Sequence, residues 1–386
     1  MVDSDNSKSL TQPVLNPKRQ QQAREYARIG RYLSLAEMIA AAVLLVLLVF
    51  AGLSERLAGS FSLPVIPTVI IYLLILVAAY RIITAPMSYY SGYVLPRHYG
   101  LLKQSLSGWL GDLVKAGALM LVLGTVIVAI VYWLIIVQPQ LWWLFSWGFL
   151  VLVSLVMSVL APVLLVPIFF KMKPMEDSKL RERLEKLAKR AGVEIGGIYT
   201  IEFSSKSTMA NAALMGMGRT RRIVLSDTLL SQYSTSEIEV IMAHEMAHNR
   251  HRDMLRLSVF YSAILLVNLY AAGIILGAVI EPLGFGSLSD ISALPLLVLV
   301  FAVANLLLSP ITTSYGRRIE TEADGYALEL TSDPVSFIST MARLTDQNLA
   351  EAEPNRWVEL LLHDHPSYRS RLAHARRFTE LKQDSK

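Results

Sequence analysis

The stretch Ala243-His244-Glu245-Met246-Ala247-His248-Asn249 has the pattern HExxH, which predicts a metal site on a helix. Residues four apart project from one face of an α-helix, so the imidazoles of His244 and His248 can bind the same ion. Glu245 lies beside them and can accept a proton from a water molecule that the ion activates. Zinc suits two neutral imidazoles and a carboxylate, with one position left for water. A solvated helix face is the alternative interpretation.

The residues before the motif favour a helix that runs through it. Ser234, Thr235 and Ser236 are followed by Glu237 and Glu239, which offers capping-box starts.

A third ligand is predicted downstream of the motif. Glu320 and Asp324 are four apart on a predicted helix and therefore share a face. One of them can bind the metal ion while the other orients a ligand imidazole. Spacing alone also permits Glu322 as the ligand. A solvated acidic turn, balanced by Arg317 and Arg318, is the alternative.

The composition indicates a membrane protein. The chain has 386 residues, of which 53% are hydrophobic and 17% charged, and its mean hydropathy is +0.45. These values are too apolar for an ordinary soluble domain. The absence of cysteine excludes disulfides, a thiolate metal site and a cysteine nucleophile. The net charge of +5 is modest and no basic cluster is interleaved with aromatic residues, so nucleic-acid binding is not expected.

Six apolar runs are long enough to cross a bilayer as helices. They lie near residues 35–53, 64–84, 112–137, 142–170, 257–281 and 293–312. The predicted fold class is mainly α: a polytopic membrane helical bundle of about six spans, with a cytoplasmic domain that contains a small β-sheet. The lipid bilayer is therefore an expected partner.

The chain divides into three predicted regions. Residues 1–30 are polar and form a flexible cytoplasmic tail. Residues 31–170 form a membrane domain of four spans with a cytoplasmic loop at 85–111. Residues 171–386 form the domain with the metal site, interrupted by a two-span membrane hairpin at 257–312.

Charge predicts the orientation. Lys and Arg concentrate before the first span and after the second, whereas the opposite loops carry only Arg56, and 138–141 and 282–292 carry none. The positive-inside rule therefore places both termini, the loop 85–111 and the segment 171–256 in the cytoplasm.

The soluble region combines a helix with short strands. Asp177–Ala191 has helical periodicity, and strands are predicted at Ile198–Phe203, Asn211–Met217 and Arg222–Leu225. A short sheet with a free edge before the motif helix suits a peptidase, because an extended substrate can add to that edge. Asn211 would then contact a substrate carbonyl; an ordinary edge or turn asparagine is the alternative.

The C-terminal part contains His363-Asp364-His365-Pro366-Ser367. If His365 lies near the metal ion, it can donate a hydrogen bond to a developing oxyanion. A surface histidine is the alternative.

Taken together, these motifs resemble the membrane zinc metalloproteases that comprise the type I CAAX prenyl proteases and the HtpX-like quality-control proteases. The similarity runs from about residue 85 to the end of the chain. Its most specific parts are His244-Glu245-x-x-His248, Arg318-x-Glu320-x-x-Ala323-Asp324, and His365-Pro366 with Arg371.

The resemblance implies a gluzincin metalloprotease domain with one zinc ion per chain. It implies that His244, His248 and Glu320 bind zinc and that Glu245 is the general base and then the general acid.

The same resemblance implies four supporting roles. His365 would stabilise the oxyanion, Asp324 would orient a ligand histidine, Asn211 would hold the substrate backbone, and Arg371 would support the site.

Two residues and one span depart from the prenyl proteases. Met209 and Ala213 stand where those enzymes have His and Tyr, and the seventh span of the longer members is not among the six predicted. We therefore predict an integral zinc-dependent metalloendopeptidase of the cytoplasmic membrane that cleaves peptide or membrane-protein substrates in membrane-protein quality control. Cleavage of prenylated C-terminal peptides is the alternative.

A membrane metal-binding or transport protein is the non-enzyme alternative. The predicted spans contain almost no Asp, Glu, Lys or His, which disfavours an ion path. The sequence makes no prediction of oligomeric state.

Overall fold

Long helices and one small sheet build the described part of the chain, residues 15–216 and 221–384, in the computed structural model. The helices are α1 (Pro17–Phe50), α2 (Leu53–Gly59), α3 (Val65–Tyr89), α4 (Leu95–His98), α5 (Leu106–Val137), α6 (Trp142–Leu160), α7 (Val166–Phe169), α8 (Ser178–Ala191), α9 (Asp227–Leu230), α10 (Thr235–Arg250), α11 (Asp253–Val279), α12 (Leu294–Thr331), α13 (Pro334–Gln347), α14 (Arg356–Leu362) and α15 (Tyr368–Asp384). The strands are β1 (Met172–Pro174), β2 (Gly197–Ile201), β3 (Ala212–Met215) and β4 (Arg222–Ser226).

Within the described residues, six helical segments are long and apolar enough to cross a membrane. They are Pro17–Phe50, Val65–His98, Leu106–Val137, Trp142–Phe169, Asp253–Val279 and Ile291–Thr331. Each contains most or all of one predicted apolar run, so the mainly α, six-span fold is confirmed.

The prediction of a flexible tail over residues 1–30 is wrong from Pro17 onward, because α1 begins there. The Asn16 side chain accepts hydrogen bonds from the backbone N–H groups of Lys18 and Arg19, at 3.0 and 3.2 Å, and so caps the helix. Ala23 is fully buried in a cluster that includes Leu95, Tyr99, Leu101 and Leu349. Ala23, Tyr26, Ile29 and Leu33 form an apolar stripe at helical spacing that the surrounding polar residues conceal. Residues 1–14 lie outside the described residues.

The first part of the predicted loop 85–111 is also helical. The helix α3 continues through a π-helical turn, Tyr90–Val94, into α4. The Tyr93 ring packs against Tyr89 and Trp109, with centroid distances of 5.7 and 5.6 Å, so contact with α5 stabilises the extension.

The fourth span continues as one helical segment, Trp142–Phe169. A π-helical turn, Ala161–Leu165, joins α6 to α7, and Pro162 and Pro167 fall in this region. Proline has no N–H to donate, so the hydrogen-bond ladder is interrupted and the helix changes pitch.

The membrane helices pack mainly at the end remote from the sheet. A buried cluster there joins α1, α3, α5, α6, α11 and α12. At its centre, Ser54 donates a hydrogen bond to the carbonyl of Ser292 at 2.5 Å and accepts one from the Tyr72 hydroxyl at 2.5 Å. These bonds satisfy hydroxyls that burial would otherwise leave without partners.

The sheet has the strand order β1-β2-β4-β3. The β2–β4 pair is parallel and the two outer pairs are antiparallel. The strands β2 and β4 occupy two predicted positions, and β3 occupies the third as far as Met215; Met217 lies outside the described residues. The short strand β1 has no periodicity that would predict it. Because β3 is an edge strand, one side of it has no strand partner among the described residues.

One hydrophobic core holds the sheet, α8, α10 and α13 together. Leu184 of α8, Ile223 of β4, Met242 of α10 and Phe337 of α13 are fully buried within it. This packing fixes α10 between the sheet and the C-terminal helices.

Candidate active site

The helix α10 places the HExxH motif. Its first turn is closed by a capping box in which the Glu237 backbone N–H donates to the Ser234 side chain, and the Glu237 carboxylate accepts from the Ser234 backbone N–H at 2.8 Å. The predicted helix start is therefore correct. His244 is buried and His248 is half-buried, and both lie in the last two turns of the helix.

Three side chains converge at one point. The Nε2 atoms of His244 and His248 are 3.3 Å apart. Glu320 Oε2 lies 3.3 Å from His244 Nε2, and Glu320 Oε1 lies 3.5 Å from His248 Nε2. One ligand atom from each residue falls within 4.8 Å of the others, which is the arrangement a single metal ion requires. The donor set of two imidazoles and one carboxylate suits zinc.

The helix α12 delivers Glu320 because it continues beyond its membrane span as far as Thr331. Glu322 does not join the cluster. Its carboxylate accepts hydrogen bonds from Arg256 at 2.7 Å and from Arg318 at 3.0 Å. Of the two glutamates that spacing permits, the fold therefore brings only Glu320 to the histidines.

Asp324 holds the first histidine from behind. Its Oδ1 lies 3.0 Å from His244 Nδ1 and also accepts a hydrogen bond from Arg371 Nη1 at 2.9 Å. Arg371 Nη2 lies 3.3 Å from Glu320 Oε2. The Asp324 side chain is only 1% exposed. Arg371 thus binds the carboxylates of Asp324 and Glu320, and Asp324 directs Nε2 of His244 toward the cluster.

Asp253 holds the second histidine in the same manner, and no helical spacing predicts it. Its Oδ2 lies 3.0 Å from His248 Nδ1, and its side chain is 2% exposed. It stands five residues after His248, beyond the end of α10. Arg252, with a φ of 57°, turns the chain so that Asp253 begins α11 beneath the imidazole. Left-handed backbone at a non-glycine residue is uncommon and marks a turn that the surroundings impose.

The charges around the cluster perturb both residues of the motif. Burial opposes a charge on His244, but the hydrogen bonds to Asp324 and Glu320 outweigh it and raise the pKa of His244 to about 10. Without a metal ion this imidazole therefore binds a proton at neutral pH. Burial also raises the pKa of the Glu245 carboxyl above its usual range. A carboxyl whose pKa is raised toward neutrality is suited to both accepting and returning a proton.

His365 lies at the mouth of the cluster. Its Nε2 is 3.5 Å from Glu320 Oε2, and its Nδ1 is 2.8 Å from Asp364 Oδ1. The side chain is 60% exposed. The hydrogen bond to Asp364 raises the pKa of His365, which favours the protonated, donating form. The fold therefore places this histidine beside the cluster and not on a distant surface.

Asn211 stands at the start of the edge strand. Its backbone N–H donates to Ser226 Oγ at 3.0 Å, its carbonyl accepts from the Ser226 N–H at 2.9 Å, and the residue is exposed. Its backbone is thus fixed, while its exposed side chain makes no hydrogen bond to the described residues.

A cavity of about 670 Å³ links β3 to the motif. Leu214 and Gly216 form one wall, and Glu245 and His248 form its floor. The opposite wall comes from the membrane helices α6 and α11, including Leu155, Val159, Met254, Leu255 and Ser258. An apolar cavity that connects an edge strand, an HExxH motif and a membrane bundle defines a membrane metalloprotease.

The chain belongs to peptidase family M48, because the sequence model of that family matches residues 174–379. Residues 6–171 match a second family, described as the CAAX prenyl protease N-terminal region with five membrane helices. The described part of that region holds four candidate spans and the short helix α2. The protein is a multi-pass membrane metalloendopeptidase of this family.

Similar proteins support the same assignment over most of the chain. An uncharacterized metalloprotease, YhfN of Bacillus subtilis, is 28% identical over 76% of this chain and 70% of its own length. A probable CAAX prenyl protease 1 of Schizosaccharomyces pombe is 27% identical over 96% of this chain and 82% of its own. The crystal structure of S. mikatae Ste24p shares the fold, with a TM-score of 0.84 and 22% identity over 96% of this chain and 92% of that one.

Proposed function

We propose that this protein binds one zinc ion through His244, His248 and Glu320 and hydrolyses peptide bonds at the membrane surface or within the bundle. The observation that carries the proposal is the convergence of these three side chains, whose ligand atoms lie within 4.8 Å of one another. Glu245 directly follows the ligand His244 along α10. Zinc, when bound, supplies a Lewis acid for the peptide carbonyl and lowers the pKa of a water molecule.

Glu245 moves the proton. It takes one from the attacking water and returns it to the amine that leaves, and its raised pKa suits both steps. Asp324 and Asp253 hold the two imidazoles so that their Nε2 atoms face inward, and Arg371 fixes Asp324 and Glu320.

His365 donates a hydrogen bond to the carbonyl oxygen of the peptide, which becomes the oxyanion when water adds to the carbonyl carbon. It stands at the open side of the cluster, and Asp364 favours its protonated form. A preorganised donor aimed at a developing negative charge lowers the barrier because it need not reorganise during the reaction.

The substrate pairs with the free edge of β3. Asn211 and Ser226 form a hydrogen-bonded pair in the β3–β4 register. The backbone N–H and C=O groups of Ala213, two residues further on, therefore also point toward β4. Those of Ala212 and Leu214 point toward the free edge. A bound peptide extends this sheet and places its side chains in the apolar cavity, with Asn211 available for a backbone carbonyl.

We place the protein in the cytoplasmic membrane, with the active site and both termini in the cytoplasm. The support is the distribution of Lys and Arg. Asn16 contacts Asp346, so the start of α1 lies on the same side as the sheet. The backbone N–H of Lys103 donates to the carbonyl of Lys206, so the loop after α4 lies on that side as well.

Two substrate classes follow from different observations. Met209 and Ala213 depart from the prenyl-protease pattern, which favours misassembled membrane proteins as substrates. The relative in Schizosaccharomyces pombe is named a probable CAAX prenyl protease 1, which favours prenylated C-terminal peptides as the second candidate.

The test uses the detergent-purified full chain beside Glu245→Gln. Zinc content is measured with cleavage of an unfolded membrane protein and of a prenylated peptide. About one zinc per chain, with cleavage of the membrane protein by the unmodified protein alone, supports the proposal. Cleavage of the prenyl peptide alone supports the second candidate, and absence of zinc refutes both.

A further inference from the structure

We propose that Asp253, Arg256 and Glu322 form a brace that positions the His248 imidazole from the two helices of the membrane hairpin, so that retention of the metal ion depends on how those helices pack. The proposal rests on the proposed zinc site. We call these three residues the hairpin brace. Asp253 and Arg256 belong to the first turn of α11, and Glu322 belongs to α12.

Both oxygens of the Asp253 carboxylate are engaged. Oδ2 lies 3.0 Å from His248 Nδ1, and Oδ1 accepts a hydrogen bond from Arg256 Nη1 at 2.7 Å. The carboxylate is almost fully buried. A buried carboxylate needs partners for its charge, and Arg256 is the cation that provides one here. Removing Arg256 therefore frees the carboxylate to rotate away from the imidazole.

The same guanidinium crosses to the neighbouring helix. Arg256 Nη1 also lies 2.7 Å from Glu322 Oε2, and Glu322 accepts a second hydrogen bond from Arg318. Glu322 is two residues from Glu320, so α12 supplies one ligand directly and supports another through the brace. A change in the crossing of α11 and α12 would move His248 and Glu320 relative to each other.

The other ligand histidine does not have this link. His244 is held by Asp324 and Arg371, and Arg371 comes from α15, outside the membrane hairpin. Both histidines thus have a carboxylate backed by an arginine, but only His248 receives its support from residues at the ends of two membrane helices. We therefore assign the brace to positioning and not to contact with substrate.

The experiment measures how fast the zinc-loaded full chain in detergent loses zinc to a chromogenic chelator, together with kcat and KM at saturating zinc. We expect Arg256→Gln to lose zinc about 10-fold faster or more, as for other residues that orient metal ligands. We expect Glu322→Gln to accelerate zinc loss by a smaller factor. In both variants we expect kcat to fall while KM stays unchanged. Arg256→Lys should lose zinc at a rate between those of Arg256→Gln and the unmodified protein, because lysine keeps the positive charge but lacks the forked hydrogen-bond donors of the guanidinium.

Arg343→Gln is the matched control. Arg343 pairs with Glu237 at the other end of α10, at 3.4 Å, and touches no residue of the brace. We expect it to lose zinc at the wild-type rate. Equal rates for Arg256→Gln and Arg343→Gln would overturn the brace.

Glu322→Gln keeps the proposal testable if Arg256→Gln does not fold. A wild-type rate of zinc loss in Glu322→Gln would remove the link to α12. Failure of the unmodified chain to bind zinc would instead refute the proposed function, so the two failures are distinguishable.

Discussion

His244 Nδ1 lies 3.0 Å from Asp324 Oδ1, although 80 residues separate the two in the chain. This contact brings α12 onto α10 and decides which imidazole nitrogen faces the cluster. Because Asp324 is buried and also bonded to Arg371, the ring orientation is set by the protein before any ion binds.

We expect Asp324→Ala to weaken zinc binding about 10- to 100-fold, because the His244 ring loses its orienting acceptor. Competition with a chelator of known affinity measures this. Glu329→Ala, an exposed change on the same helix, is the control and should bind zinc as the unmodified chain does. Equal affinity in all three proteins would contradict the role of Asp324.

We expect Glu245→Gln to reduce kcat by about 10²-fold or more, because general acid–base catalysis contributes that much and glutamine cannot exchange the proton. Zinc content should stay at the wild-type level, since Glu245 is not one of the three converging side chains. Glu239→Gln is the control, because Glu239 also lies on α10 but pairs with Arg183 of α8. Normal turnover by Glu245→Gln would refute the mechanism.

We expect zinc binding by the metal-free protein to release a proton at pH 8. The pKa of His244 is about 10, above its usual value, so this ring is protonated until the pH rises through that value, and zinc must displace the proton. The apparent affinity for zinc should therefore rise with pH across that range. Calorimetry in two buffers of different ionisation enthalpy measures the release, and identical heats in both would contradict it.

We expect Ala212→Pro to raise KM while the protein stays folded, because it removes an N–H from the free edge of β3 and not from the β3–β4 ladder. Ala213→Pro is the matched change on the paired side and should lower the melting temperature. The comparison uses thermal unfolding with peptide kinetics. An unchanged KM for Ala212→Pro would mean that substrate binds elsewhere.

We expect His365→Ala to lower kcat about 10²- to 10³-fold without loss of zinc, since that is the usual cost of removing one oxyanion donor. His363→Ala, two residues away, should behave as the unmodified protein, because the contact of His363 with Arg317 is made by its backbone carbonyl, which the substitution keeps. Similar kinetics for both variants would argue against an oxyanion role for His365.

The parts of the site that were predictable are those that local periodicity determines. His244, His248, Glu320 and Asp324 share helical faces at spacings of four, and the six apolar runs are long enough to be read directly. Glu322 illustrates the limit of this reasoning. The crossing of α11 and α12 pairs the Glu322 carboxylate with Arg256, and this contact between two helices decides that Glu320 and not Glu322 joins the histidines.

The parts that were not predictable depend on turns and on contacts between distant segments. Asp253 follows a change of direction at Arg252, so its position below His248 cannot be read from a helical pattern. The prediction of a flexible tail fails because the polar composition of residues 1–30 hides the stripe around Ala23, whose partners Leu95 and Leu349 are far away in sequence. Local composition carries no information about either contact.

The docking of α1 has a consequence for biosynthesis. The Asn16 N–H donates to Asp346 at 2.7 Å, and Arg31 pairs with Glu351 at 2.5 Å, across separations of 330 and 320 residues. A ribosome makes Asn16 and Arg31 before their partners, by 330 and 320 residues respectively. The first helix therefore lacks these two contacts while the intervening residues are made, and a chain truncated before Asp346 never forms them.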